Sequence, residues 1–214
     1  MNFYTFIIDL FTNTNLFCML LAYVIGGIPF GLIYAKCFAN VNIKNAGSKS
    51  IGATNVLRVV KEINPSLAKK LSIATMASDF LKAMIPIAIA LAYDISISTI
   101  WAMAVLSVVG HCYSIFLKFD GGKGVASGAG ALALLVPYSV LIGLLCWIIV
   151  GKVFKISSLA SLIGLSIGVL SAEFIYPNLE INSHAPLYLI LFFIFYRHIP
   201  NIKRLITKSE CKVI

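Results

Sequence analysis

A chain of 214 residues that is 60% hydrophobic and 12% charged lies far from the soluble average of about 25% charged residues. Its mean hydropathy of +0.96 excludes an ordinary soluble globular domain and marks a polytopic membrane protein. The net charge of +9 would suggest nucleic acid in a soluble chain, but the cations here sit in short loops between apolar runs, where topology accounts for them and no nucleic-acid partner is implied.

Seven apolar runs follow in chain order, and they predict an all-α, seven-helix membrane protein. The first, residues 16–35, is long enough to cross a bilayer and lacks a small-residue cleavage site after it, so it reads as a retained span. A polar stretch leads to the second, 67–93, which carries the lone intramembrane cation Lys82 three residues after Asp79. Ionisable groups at that depth pair or serve a site, and both a structural pair and a direct role are open at this point. The third run is 97–117, and the loop Gly121-Gly122-Lys123-Gly124 separates it from the fourth, 125–136. Glycines let backbone N–H groups close around an anion, and Lys123 adds charge. At about 18 Å of helix the fourth run is short, so Pro137 could instead kink one longer span. The fifth, sixth and seventh runs are 138–153, 159–176 and 185–199.

Charge parity decides between six spans and seven. With seven, 16 of the 17 Lys and Arg residues fall on one side, while Asp9, Asp94, Glu173 and Glu180 occupy the other. With six, the cations split 9 against 7. Retention of cations by cytoplasmic loops therefore favours seven spans, with the N-terminus outside and the C-terminus in the cytoplasm. No run of soluble composition interrupts the series, so 1–214 reads as one membrane domain. Cys18, Cys37, Cys112, Cys146 and Cys211 form no C-x-x-C pair and read as small apolar fillers.

The same parity gathers four donor-rich segments at the cytoplasmic end. Residues 47–58 offer Ser48, Ser50, Thr54, Asn55 and Arg58; residues 121–124 supply the glycine-lysine loop; Ser157, Ser158 and Ser161 open the sixth run; and residues 197–205 carry Arg197, His198, Asn201, Lys203 and Arg204. Each has a plain reading by itself: a polar turn, a charged turn, a serine N-cap, or basic anchors for lipid headgroups. Together they form an anion site of hydroxyl, amide and cationic donors. The cytoplasmic acids are only Glu62, Asp120 and Glu210, so no Ser-His-Asp order, paired carboxylates or carboxylate-histidine metal set is present in the pattern.

These segments resemble the bacterial acyl-phosphate:glycerol-3-phosphate acyltransferase family of integral membrane enzymes. Its motifs G-S-G-N-x-G-A-T-N-x-x-R, G-H-x-x-P-x-F-L-x-F-x-G-G-K-G-V-A and H-x-x-N-I-x-R-L correspond to residues 47–58, 110–126 and 198–205, in order and on one predicted side. Lys49-Ser50 stands where the family has Gly-Asn, and Ser114 where it has proline. A side chain at position 49 would crowd the phosphate or add a cation to it, and Asp120, unwelcome beside an anion, is expected to point away.

The resemblance implies transfer of a fatty acyl group from acyl phosphate to the 1-hydroxyl of sn-glycerol 3-phosphate, the first step of phospholipid synthesis, at the cytoplasmic face of the bacterial inner membrane. It implies Lys123, Arg58 and His198 as catalytic residues, and Ser48, Thr54, Asn55, Gly121, Gly122, Gly124, Ser158 and Asn201 as substrate-binding residues, with the acyl chain in a groove open to membrane lipid. No cofactor, metal or obligate protein partner is implied, because a mixed anhydride needs chiefly orientation and oxyanion stabilisation. The proton acceptor is a substrate phosphate oxygen or His198. Two other readings compete: an organic-anion transporter, which should carry polar groups toward both faces and often shows repeated halves, and a catalytically silent membrane scaffold.

Overall fold

The computed structural model describes residues 12–212, and the regular secondary structure among them is all helical. Helix α1 (Thr14–Gly26) starts at Asn13, whose side chain accepts the Leu16 N–H, and stops before Pro29, where α2 (Phe30–Ala39) begins. The expected span 16–35 is thus a broken one. Proline supplies no N–H, and the break exposes carbonyls that lipid cannot satisfy. Ser114 Oγ donates to the Gly27 carbonyl at 2.6 Å and Lys82 Nζ to that of Ile28 at 2.8 Å.

Helix α3 (Ala53–Lys61) is short and amphipathic; α4 (Pro65–Ala92) is capped by Asn64, begins on proline as a first turn allows, and runs 28 residues. Next come α5 (Ile97–Cys112), a 3-10 turn at Ile115–Leu117, and α6 (Val125–Leu132). Then α7 (Pro137–Phe154) and α8 (Ser157–Ile175) form an antiparallel hairpin, and α9 (Ala185–Arg197) bends by 61° into the short amphipathic helix α10 (Ile199–Ile206).

Five segments are long and apolar enough to cross a membrane, six if the bent α9–α10 pair is one span. The expected all-helical membrane architecture is present among the described residues, and of the seven expected spans the fourth, 125–136, is the one without a full-length helix. Segment 125–136 holds only eight helical residues, about 12 Å, and Val136, which precedes Pro137, lies outside the helical region (φ −139°, ψ 61°).

The loops at one end are tied to one another. Asp120 bridges Lys44 (3.1 Å) and Arg197 (3.2 Å), Thr54 Oγ1 meets Ser157 Oγ at 3.1 Å, and Ser158 Oγ donates to Glu210 at 2.8 Å. Among the acids expected at the opposite end, Glu173 accepts from Tyr188 near the far terminus of α8. Asp9 lies outside the described residues.

Candidate active site

An open cleft of about 900 Å³ runs from the tied loops into the helices. Its polar end is lined by Ser48, Thr54, Asn55, Arg58, Lys123, Gly124, Ser158, His198 and Asn201, all expected from the sequence. Its apolar end lies among α6, α7 and α8, with Val136, Val140, Leu144, Trp147, Leu165 and Val169.

Local backbone demands explain the first loop. Gly47 has φ +60°, and a Cβ there would overlap the Asn55 side chain. Asn55 is buried, donates to the carbonyls of Ile43, Ala46 and Ser50, and accepts the Ser48 N–H at 2.8 Å. Its amide is thereby spent on shaping the loop that presents Ser48. Lys49 has φ +58°, the left-handed region that accounts for glycine at that family position. It is exposed and stands off the cleft.

The glycine-lysine loop is built differently from a phosphate cradle. The Gly121 N–H donates to the Cys112 carbonyl (3.1 Å) and the Gly122 N–H to that of His111 (2.9 Å), while both glycine carbonyls accept from Arg197. Neither glycine lines the cleft. Their missing side chains matter because a Cβ at Gly121 would overlap the His111 carbonyl and one at Gly122 the His111 ring. Asp120, held by Lys44 and Arg197, stays below the usual carboxylate range and off the cleft.

Lys123 and Arg58 both face the cleft, and neither makes a hydrogen bond or ion pair with a described residue. Burial brings the Lys123 ammonium down to about 8; Glu210 opposes that shift and Arg204, Arg58 and Arg197 add to it. His198 is 1% exposed, and its Nδ1–H donates to the Ile194 carbonyl at 2.7 Å, so Nε2 carries the free lone pair.

Glu210 is the contributor that sequence reasoning missed. Its carboxylate accepts from Ser158, Asn201 and Arg204. Burial would raise its pKa, but these hydrogen bonds hold it below the ordinary glutamate value. Only its position, six residues beyond Arg204, hinted at a return to the site.

A family profile described as glycerol-3-phosphate acyltransferase matches residues 16–208. The chain belongs to the glycerol-3-phosphate acyltransferase family. It is 60% identical over 206 residues to the glycerol-3-phosphate acyltransferase of Aliarcobacter butzleri, covering 96% of this chain and 100% of that protein. The corresponding Campylobacter lari protein is 59% identical, with 94% and 99% covered. Among solved structures, PlsY, an integral membrane glycerol 3-phosphate acyltransferase, superposes in its glycerol 3-phosphate form with a TM-score of 0.80 at 33% identity, covering 93% of this chain and 95% of that one. Its lysophosphatidic acid form gives 0.76 at 32%, with the same coverage. The acyltransferase family thus supplies structures with substrate and product that share this fold.

Proposed function

We propose that this acyltransferase moves a fatty acyl group from acyl phosphate to the 1-hydroxyl of sn-glycerol 3-phosphate, releasing lysophosphatidic acid and inorganic phosphate. The observation that carries the reading is the cleft itself: two unpartnered cations, Arg58 and Lys123, stand at the polar end of an otherwise apolar groove. That combination fits an anionic head on a long apolar tail.

The residues divide by chemistry. Arg58, with its planar guanidinium, clamps the glycerol 3-phosphate anion together with Ser48 and Thr54. Ser158 and Asn201, oriented by Glu210, complete that side. Lys123 and Gly124 hold the acyl phosphate, and Gly121 and Gly122 allow the loop to seat closely on His111 and Cys112. Attack by the glycerol oxygen on the acyl carbon expels phosphate, and the hydroxyl proton passes to a phosphate oxygen or to His198 Nε2. The acyl chain lies among α6, α7 and α8.

The same arrangement supports a topology. Helix α7 carries the chain from Pro137 to Phe154, α8 starts at Ser157, and Thr54 ties Ser157 to the loop end. On this reading segment 125–136 brings the chain across in the other direction, although helix fills only part of it. We place seven crossings in one domain, residues 1–214, with the N-terminus outside and the C-terminus and active site at the cytoplasmic face of the bacterial inner membrane, as the cation distribution favours.

The decisive assay supplies purified protein with acyl phosphate and glycerol 3-phosphate, with acyl-CoA as comparison donor. Lysophosphatidic acid and phosphate are expected in equal amounts from acyl phosphate. Anion flux into liposomes without chemical turnover would overturn this reading in favour of a transporter.

A further inference from the structure

Beneath the glycine-lysine loop lies a buried polar cluster that the roles above do not use. Lys82 Nζ donates to Asp79 Oδ1 at 2.7 Å and to the Ile28 carbonyl at 2.8 Å, and it meets His111 Nδ1 at 3.0 Å. Ser127 of α6 adds a bond to the Asp79 carbonyl. An ammonium carries donors and no acceptor, so His111 Nδ1 must be the lone-pair nitrogen and its ring proton must sit on Nε2.

His111 is 4% exposed yet borders the cleft, and no described residue accepts its Nε2–H. That nitrogen lies against Gly122, at a spot a side chain there would fill. The two backbone bonds from Gly121 and Gly122 clip the loop to the last turn of α5, so the imidazole and Lys123 belong to one rigid unit. Among the described residues the fully buried side-chain polar atoms without a partner are Ser139 Oγ and Asn201 Oδ1; His111 Nε2 is not one of them, so its N–H is open to the cleft, where a bound group can accept it. His198, in the same cleft, has the opposite tautomer with a free lone pair.

We propose that His111 is a further catalytic residue, whose Nε2–H donates to the carbonyl oxygen of the acyl phosphate as that oxygen gains charge. The inference rests on the acyl-transfer reading. As the glycerol oxygen bonds to the acyl carbon, the carbonyl pair moves onto oxygen, where the imidazole N–H stabilises it. The pair returns when the bond to phosphate breaks, and phosphate leaves with the bonding electrons. His111 keeps its proton throughout. A neutral donor suits this oxygen because Lys123 already meets the phosphoryl charge. Asp79 and Lys82 are positioning residues that fix the tautomer.

The test begins with acyl transfer by the wild type, whose absence would overturn the functional reading and this assignment together. With an active wild type, His111→Phe keeps a ring but no donor. Its kcat is expected to fall about 10²–10³-fold, with glycerol 3-phosphate affinity by calorimetry unchanged, and His111→Gln should recover part of the loss. Undiminished kcat in His111→Phe, or a parallel loss of glycerol 3-phosphate binding in both variants, would overturn the assignment alone. An independent measurement needs no variant of His111: ¹⁵N NMR of imidazole-labelled protein, with the His111 signals assigned by removing His184. With the His198 signals identified in the same way by removing His198, the remaining ring should report Nε2–H, with that nitrogen shifting on addition of a non-hydrolysable acyl phosphonate and not of glycerol 3-phosphate. An Nδ1–H ring, or an unmoved signal, would contradict the proposal.

Discussion

Lys82 and Lys123 place two ammonium groups in the same small protein under opposite conditions. Lys82 is 5% exposed and meets a carboxylate, a carbonyl and an imidazole. Lys123 is half-buried at the cleft and has no hydrogen bond or ion pair. A charge with every donor placed holds helices in register, whereas one left open at the cleft is, on the proposed reading, available to a substrate anion.

Variants of these two lysines can break that contrast. Lys82→Met leaves Asp79 buried without its cation, which should cost about 3–5 kcal/mol and appear as a large fall in the thermal midpoint in detergent. Lys123→Met removes no internal bond. Its midpoint should hold, while kcat for acyl transfer falls about 10²–10³-fold. If the two variants lost stability alike, the contrast between partnered and open charge would collapse.

Smaller effects sharpen it. Arg58→Gln, again without an internal partner to lose, should weaken glycerol 3-phosphate binding by about 1.5–3 kcal/mol, read by calorimetry with unchanged folding. Because Lys123 titrates at about 8, its charge is present below that pH and is lost above it. The kcat/KM for acyl phosphate should therefore decline as pH rises through about 8, and Lys123→Arg should remove that limb. Lys49→Gly relieves a left-handed lysine at an exposed position outside the cleft. A gain of about 1 kcal/mol or less in stability, with normal turnover, is expected from chemical denaturation and the acyl-transfer assay.

What the sequence disclosed was local. Residues 47–58, 110–126 and 198–205 are legible as motifs because their spacing is written in the chain, and Ser48, Arg58, Lys123, His198 and Asn201 duly meet in one cleft. What escaped depends on partners distant in sequence. Gly121 and Gly122 look like amides for an anion, but whether an N–H is free depends on the Cys112 and His111 carbonyls. Glu210 entered the sequence reading only as one of three cytoplasmic acids, and its bonds to Ser158 and Asn201 depend on how the chain returns after α10. Apolar content likewise located the spans but not their breaks. Pro29 divides the first and Pro137 shortens the fourth, since backbone geometry there overrides hydropathy.

Helices α7 and α8 meet along Gly143, Gly164 and Gly168, where a Cβ on Gly164 would come within 2.7 Å of the Gly143 carbonyl. All three glycines also face the apolar end of the cleft. With the acyl chain seated as proposed, one added methyl would thus be felt twice, as a wedge that parts the hairpin and as a re-cut wall for the fatty tail. Drift at this seam would register in the cell as a change in which fatty acids enter its lipids, and so in the fluidity of the very bilayer that houses the enzyme.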